Sequence, residues 1–275
     1  MLVPILILLG SIAGGICLMV VMRRLSGGEP FFRDPGAPGA VFGAVRGPLA
    51  VLLAFVIFLA FQGYTRADVA ARNEASAVLT MSRTSALFAP GNANFLQSDL
   101  VCYARAIIED EWPAMRRGGE SEAVDHWLYE TERAIGRVKA STPIQQEALA
   151  EFFLESNERE VARDDRLADA NGVVPEPVWI VLILGGAMVV VYVSFFADPR
   201  ERLLTQAMMM GTTVAVISSG LLLVAFFNHP YADRPGALEP TAMESTLAHM
   251  EVDRQAEPLA TEPPCDDSGL PSSND

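Results

Sequence analysis

Four long apolar runs, each free of Asp, Glu, Lys and Arg, dominate the hydropathy pattern of the chain. They cover residues 2–22, 47–63, 178–197 and 207–227. Each is close to the ~20 residues that a helix needs to cross a bilayer, and soluble cores seldom need uncharged runs of this length. The runs form two close pairs around a polar segment, 64–176. The pattern therefore predicts an all-α fold of four transmembrane helices in two hairpins (1–63 and 177–228), a helical extramembrane domain between them (64–176), and a tail (229–275).

The first run is expected to stay in the mature protein as a membrane anchor. A secretory signal carries its positive charges before the apolar run and a small-residue cleavage site after it. Here Arg23 and Arg24 follow the run, and no Ala-x-Ala site closes it. The second run is short because Arg46 interrupts the apolar approach. Pro48 is expected in the first turn of its helix, where the missing N–H is no loss.

Charge is distributed unevenly along the chain. Hydrophobic residues make up 51% of the sequence, yet the net charge is -14, so the acidic residues lie outside the spans. This balance makes nucleic acid an unfavourable partner. The tail is rich in Pro, Glu, Asp and Ser, a composition that cannot bury enough apolar surface to offset chain entropy. We expect the tail to be largely disordered from about Glu251 onward.

Positive charge in the short loops predicts the orientation in the membrane. Between the first two spans lie Arg23, Arg24, Arg33 and Arg46, and between the last two lie Arg200 and Arg202. Short loops rich in arginine stay in the cytoplasm. Both hairpin loops are therefore expected inside, with the N-terminus, the helical domain and the C-terminus outside, although Arg66, Arg72, Arg163 and Arg166 oppose this assignment.

The middle segment is predicted to contain four helices. An Ala-rich stretch, 65–88, precedes a turn at 90–92, and a second helix, 95–111, is expected to be closed by Pro113. The third shows one apolar stripe between Ala123 and Val138 at three- and four-residue steps. The fourth opens with Thr142 as cap, Pro143 in the first turn and Gln145 in a capping box, and ends at Asn171-Gly172.

The usual catalytic and metal-binding signatures are missing from the sequence. No phosphate-binding loop, His-Glu-x-x-His or Gly-x-Ser-x-Gly occurs, and the three histidines follow no metal-ligand spacing. No ionisable residue interrupts a span, which disfavours an intramembrane hydrolase. We therefore expect neither an enzyme nor a cofactor or metal. A disulfide between Cys102 and Cys265 is open if both cysteines lie outside the cell.

Several sequence blocks resemble the bestrophin-like domain family of bacterial membrane proteins. They are 52–55 running to Arg66; 73–75; Tyr103 followed by 110–115 (Asp-Glu-Trp-Pro-Ala-Met); 163–167 (Arg-Asp-Asp-Arg-Leu) before Pro175, Val178 and Trp179; and 229–231 (His-Pro-Tyr) with Pro235 and Gly236. The resemblance covers roughly residues 40–250 and marks Glu111, Trp112, Pro113, Trp179 and Pro230 as structural motif residues. Since bestrophins are oligomeric anion channels, it implies a multi-pass protein of the bacterial inner membrane that forms a homo-oligomer and conducts a small anion. It also implies a cytoplasmic helical domain, against the charge argument.

The second span is the leading candidate for the lining of a pore. Phe55, Phe58, Gln62 and Arg66 fall at three- and four-residue steps, so one helix face presents two aromatic rings, an amide and a cation. The same residues equally suit a face that contacts lipid or neighbouring helices, with Arg66 reaching to the headgroups. A different reading of the whole chain is a non-conducting membrane scaffold or envelope sensor that binds a protein through its helical domain.

Overall fold

The computed structural model describes residues 2–27, 29, 31–32, 36–256 and 261–272. The helices in chain order are α1 (Leu2–Leu25), α2 (Gly36–Ser85), α3 (Pro90–Ala106), a π-helical segment (Ile107–Glu111), α4 (Trp112–Met115), α5 (Glu122–Ile135), α6 (Pro143–Ala170), α7 (Glu176–Ser194), α8 (Leu203–Phe227) and α9 (Thr241–Gln255). The chain divides into a membrane unit, Met1–Gly63 with Gly172–Asn228, and a helical unit, Tyr64–Asn171 with His229–Asp275. The predicted all-α fold is confirmed.

Four helices of the described chain are long and apolar enough to cross a membrane. They are α1, α2, α7 and α8, and each contains all or most of one of the four apolar runs. Their surfaces carry many exposed large hydrophobic side chains, including Leu2, Val51 and Met188. Such surfaces are unfavourable in water and favourable in lipid, so composition, length and exposure all agree with a multi-pass membrane protein.

Within the membrane unit, helix α8 packs against α1 along its first half and against α2 along its second half. Met210 and Val214 of α8 pack with Met19 of α1, and Val224 packs with Val56 and other residues of α2. Close approach depends on small residues. A Cβ atom on Gly15 would lie 2.6 Å from the Val214 side chain, so only glycine fits at this contact.

The start of the second span differs from the sequence prediction. Helix α2 begins at Gly36, so Pro48 lies in its interior rather than in its first turn. Proline removes one backbone hydrogen bond and crowds the residue before it. That preceding residue is Gly47, which has no Cβ to clash with the proline ring. The helix therefore continues through Pro48 instead of starting there.

One of the arginines used to predict the orientation, Arg23, makes structural contacts of its own. Arg23 donates to the carbonyl oxygens of Pro199 and Glu201 and to Gln206 Oε1, each at 2.9 Å. It thereby ties the end of α1 to the connection between α7 and α8. Arg33 lies outside the described residues.

The helical unit has one apolar core, into which α3 contributes Leu96, Leu100 and Val101. Pro90 was expected to stop a helix, but it begins α3, and the turn lies just before it at 86–89. The fourth predicted helix is confirmed as α6. Thr142 Oγ1 accepts from the N–H of Gln145 at 3.2 Å, and the α6 C-terminus is followed by Gly172 with φ +85°.

Pro113 does not close the second helix, which corrects another prediction. After α3 the backbone widens into the π-helical segment, and the Trp112 N–H donates to the Ile107 carbonyl, five residues back. Chain direction is kept and α4 follows at once, with Pro113 near its start. A proline inside a helix clashes with the preceding turn, and the wider π turn gives the Pro113 ring the room that it needs.

The tail is also more ordered than predicted in the part that the structure describes. Helix α9 extends to Gln255, beyond the Glu251 boundary set by composition, and Cys265 is disulfide-bonded to Cys102. Gly269, at φ +78°, packs against the backbone of Ala106, and its carbonyl accepts from Trp127 Nε1 at 2.6 Å. The prediction from composition underestimated the order of this segment, because a disulfide bond and a close backbone contact hold it against the rest of the helical unit. Residues 257–260 and 273–275 of the tail lie outside the described residues.

Candidate functional site

The predicted pore-lining residues all lie on the exposed surface of the single chain. Phe55 and Phe58 are 56% and 53% exposed, and Gln62 and Arg66 are exposed as well. The opposite side of the same helix carries the buried Val56 and Ala60, which pack with Leu182 of α7. One face of α2 is therefore committed to the membrane unit, and the face with the four candidates is left for lipid, water or another subunit.

Arg66 has a carboxylate partner that the sequence did not suggest. Its Nη2 lies 3.3 Å from Asp169 Oδ1 near the end of α6, with the arginine side chain 63% exposed and the aspartate 12% exposed. Burial raises the pKa of Asp169, and the charge of Arg66 opposes that rise. The positive charge at the Arg66 end of the candidate pore-lining face is therefore partly compensated.

A buried ion cluster lies at the centre of the helical unit and was not predicted. It consists of Glu74 from α2, Glu111 from the π-helical segment, and Arg163 and Arg166 from α6, all nearly inaccessible to solvent. Its two carboxylates and two guanidinium groups cancel in charge. Removing four charges from water is affordable only when each is paired and hydrogen-bonded.

Arg166 is the centre of this cluster. Its Nε donates to Glu74 Oε2 at 2.6 Å and its Nη2 to Glu74 Oε1 at 3.1 Å, a two-pronged contact, and Nη2 also donates to Glu111. The guanidinium carbon lies 5.3 Å from the centre of the Trp112 ring, which presents its electron-rich face. Burial lowers the pKa of Arg166, but Glu74 and Glu111 outweigh that effect, so the net shift is upward and the cation is retained.

Arg163 supplies the second cation. Its Nη2 lies 2.5 Å from Glu111 Oε1 and 2.9 Å from Asp125 of α5. Burial raises the pKa of Glu111, but the charges and hydrogen bonds of Arg166 and Arg163 more than reverse this, leaving that pKa below its usual value. Glu111 is thus held as a carboxylate that only accepts hydrogen bonds, which suits an ion-pair partner and not a proton donor.

Two aromatic side chains complete the cluster. The Tyr103 hydroxyl donates to Glu74 Oε1 at 2.5 Å, and burial followed by the charge of Glu74 raises the pKa of this tyrosine. Trp112 is 2% exposed, donates through Nε1 to the Leu238 carbonyl at 3.1 Å, and meets the Tyr231 ring edge to face at 5.2 Å. The π-helical segment brings Glu111 and Trp112 to the core together, because a wide turn changes which residues face inward.

Two of the other motif residues adjoin this cluster, since Pro113 follows Trp112 and Pro230 precedes Tyr231. Pro113 is half-buried. Pro230 is buried, and its carbonyl accepts from the Leu238 N–H at 2.8 Å. Trp179 belongs to the membrane unit, where it packs against the apolar contact between α2, α7 and α8. Glu111 and Trp112 therefore belong to one site, which Pro113 and Pro230 adjoin.

One signal in the sequence could have revealed the cluster. Helix α6 carries many acidic residues, yet its three arginines, at positions 159, 163 and 166, recur at four- and three-residue steps. Such spacing places them on one helix face, and the structure buries all three. A row of arginines on the inner side of an acidic helix indicates carboxylate partners elsewhere in the chain.

Removing Arg166 should strongly destabilise the helical unit. Arg166→Met leaves Glu74 and Glu111 buried without their shared partner, which should cost about 3–5 kcal/mol of unfolding free energy. Arg72→Met is the matched control, because the Arg72–Asp68 pair is exposed and should contribute less than about 1 kcal/mol. Thermal unfolding in detergent measures both. Adding Glu74→Gln to Arg166→Met should recover part of the loss, and equal effects of the two methionine substitutions would contradict this account.

Asp99 should make stability depend on pH. It is buried on α3, and burial, followed by the charge of Glu130, raises its pKa to about 7. A pKa above the unfolded value favours the protonated folded state, so this contribution is full below pH 4 and is lost as the pH rises through 7. Asp99→Asn should therefore unfold at a higher temperature than wild type at pH 8, with the difference shrinking toward pH 4. Glu120→Gln, an exposed control, should show no such difference. A constant offset between Asp99→Asn and wild type across this range would contradict the assignment.

Comparison with known proteins gives a family match and several similar structures. The Bestrophin-like domain matches residues 9–235. A variant of a bacterial bestrophin homologue from Klebsiella pneumoniae is 13% identical with a TM-score of 0.68, covering 90% of this chain and 99% of that one. A second variant of that homologue is 14% identical with a TM-score of 0.67, covering 90% and 97%. A structure described as a membrane protein is 15% identical with a TM-score of 0.68, covering 89% and 97%.

These structural likenesses show a shared fold. Comparison with curated proteins gives no match. The matched segment includes α2, α7 and α8, most of α1, and the whole buried ion cluster, whose residues come from three of the sequence blocks. The chain is thus a multi-pass membrane protein, and it belongs to the bestrophin-like family.

Proposed function

We propose that this protein forms a homo-oligomeric ion channel in the bacterial inner membrane, with α2 of each subunit lining the pore and a small anion as the permeating ion. The observation that carries the proposal is the two-sided character of α2. Its inner face packs on α7 and α8, while Phe55, Phe58, Gln62 and Arg66 stay exposed on the other. Family membership supports the proposal, since bestrophins are channels.

A pore lined by this face has a defined chemical order. Two phenylalanine rings per subunit form an apolar constriction, which impedes ions because a narrow apolar ring excludes water. Gln62 then offers an amide that can coordinate either ion sign, and Arg66 raises the local anion concentration. Asp169 compensates part of that charge, so the salt bridge tunes the preference for anions.

The orientation that we propose places both hairpin loops in the cytoplasm and the helical unit outside. The arginines of the loops support it. The Cys102–Cys265 disulfide gives a separate argument, because such bonds persist in the bacterial periplasm and are rare in the reducing cytosol. The arrangement implied by bestrophins, with a cytoplasmic helical domain, leaves this disulfide in a reducing compartment.

A non-conducting scaffold or sensor is the second candidate. It is favoured by apolar side chains on the outer side of α6, where Phe153, Leu154 and Val161 are all about half exposed. Such a surface suits contact with another protein, and a neighbouring subunit would serve equally. Ion flux separates the two candidates, since a scaffold conducts nothing.

Topology can be tested with reporter fusions. Fusions at Gly119 and at the C-terminus should both report the non-cytoplasmic side. The reason is that the two arginine-rich hairpin loops stay in the cytoplasm, which places these two positions across the membrane from them. A fusion between α7 and α8 is the control and should report the cytoplasm. Cytoplasmic signals at both Gly119 and the C-terminus would favour the bestrophin arrangement.

Truncating the constriction should raise flux. Phe55→Ala or Phe58→Ala widens the apolar ring and eases its wetting, so chloride efflux from proteoliposomes should increase. Phe61→Ala is the matched control, because at 3.6 residues per turn Phe61 points about 100° away from the mean direction of the four candidates, and its ring contacts that of Phe227 at 5.2 Å. No flux from folded, oligomeric wild type and from both variants would exclude a channel and support the scaffold.

Charge changes at Arg66 and Asp169 should move ion preference in opposite directions. Arg66→Glu replaces the cation and should lower the preference for chloride over sodium. Asp169→Asn removes the compensating acid and should increase it. Reversal potentials in a salt gradient measure both. Shifts of the same sign, or none in a conducting protein, would remove Arg66 from the pore mouth.

A further inference from the structure

The membrane unit contains a large apolar cleft between α2, α7 and α8. Its volume is about 960 Å³, and its walls include Leu53, Leu182, Val189, Met208 and Val216. Apart from Arg46, the polar side chains in the wall are satisfied, since Thr212 and Thr213 donate to the carbonyl oxygens of Met208 and Met209. The body of the cleft therefore offers no hydrogen-bonding demand to water.

The cleft lies on the other side of α2 from the proposed pore lining. Arg46, Ala50 and Leu53 border the cleft, and at 3.6 residues per turn they point about half a turn away from Phe55 and Phe58. If the α2 face that carries Phe55 and Phe58 lines a central pore, the cleft faces away from that pore. Its occupant is therefore not the permeating ion.

One end of the cleft has the character of a membrane interface. Arg46 borders it, with its guanidinium carbon 5.5 Å from the centre of the Phe42 ring. Phe42 in turn stacks on Tyr192 at 5.5 Å and meets Phe196 at 6.0 Å. Aromatic rings with tyrosine among them, beside arginine, are typical of the headgroup level. Within the described residues, Arg46 makes no ion pair with a carboxylate.

We propose that this cleft binds an anionic phospholipid, with an acyl chain along the apolar walls and the headgroup phosphate at Arg46. Two observations select this occupant. A dry apolar space of this size at bilayer depth is filled most readily by the hydrocarbon that surrounds it, because packed interiors leave few large voids. The cation at its interfacial end complements a phosphate, which arginine binds through two parallel N–H groups.

The test compares lipid retention by wild type and by two variants of the cleft. The full chain is reconstituted into vesicles of equal parts phosphatidylglycerol and phosphatidylethanolamine and extracted gently, and the lipids still bound are counted by mass spectrometry of the intact complex. Wild type should retain phosphatidylglycerol in preference. Arg46→Gln should weaken that preference about fivefold, as expected for loss of one interfacial cation, and Ala50→Phe should displace the lipid by filling the cleft.

Two controls keep this result interpretable. Ala54→Phe makes the same change on an exposed part of α2 that does not border the cleft, and Arg24→Gln removes an exposed arginine away from it. Both should retain the lipid as wild type does. Retention by Ala50→Phe, or equal loss in all variants, overturns the site. A change of oligomer size in Ala50→Phe alone assigns the cleft to a neighbouring subunit and also overturns it. A non-conducting protein leaves the lipid result unchanged, so failure of the channel proposal is distinguishable.

Discussion

A buried guanidinium group must keep its partners, and in the helical unit this requirement falls on Arg166. Its charge is shared by Glu74 and Glu111, while its face lies on the Trp112 ring. Removing any one of these charged partners would leave another buried charge without full compensation. Helices α2 and α6 and the π-helical segment are therefore fixed to one another by electrostatics as well as by apolar packing. Such a cluster favours one arrangement over alternative packings of similar apolar area.

The π-helical segment makes this arrangement compatible with the backbone. A regular α-helix through residues 107–113 would rotate Glu111 and Trp112 together away from the directions that they now face, and the Pro113 ring would clash with the preceding turn. The wider turn resolves both constraints within five residues. Helices with a π turn often carry functional residues at that turn. Here the turn positions a carboxylate and an indole on the same cation.

The sequence predicted what depends on neighbouring residues and missed what depends on distant ones. The apolar runs gave the membrane helices, and Thr142 with Gln145 gave the start of α6, because length and capping are local properties. Pro48, Pro90 and Pro113 were misread, since Gly47, the position of Pro90 in a first turn and the π turn each make a proline acceptable inside or at the start of a helix. The Glu74–Arg166 pair joins residues 92 positions apart, and no local pattern specifies such a pair. The exposure of Phe55 and Phe58 agrees with a pore lining, but their role stays a prediction because a single chain contains no pore.

The disulfide of the tail has a consequence for biogenesis. Cys102 and Cys265 are separated by 163 residues, and α7 and α8 lie between them. The covalent ring therefore encloses the second membrane hairpin. Cys265 emerges only after that hairpin has been made, so the correct bond can form only on a chain whose last two membrane helices already exist. The bond between Cys102 and Cys265 is therefore a chemical sign that synthesis has passed both α7 and α8.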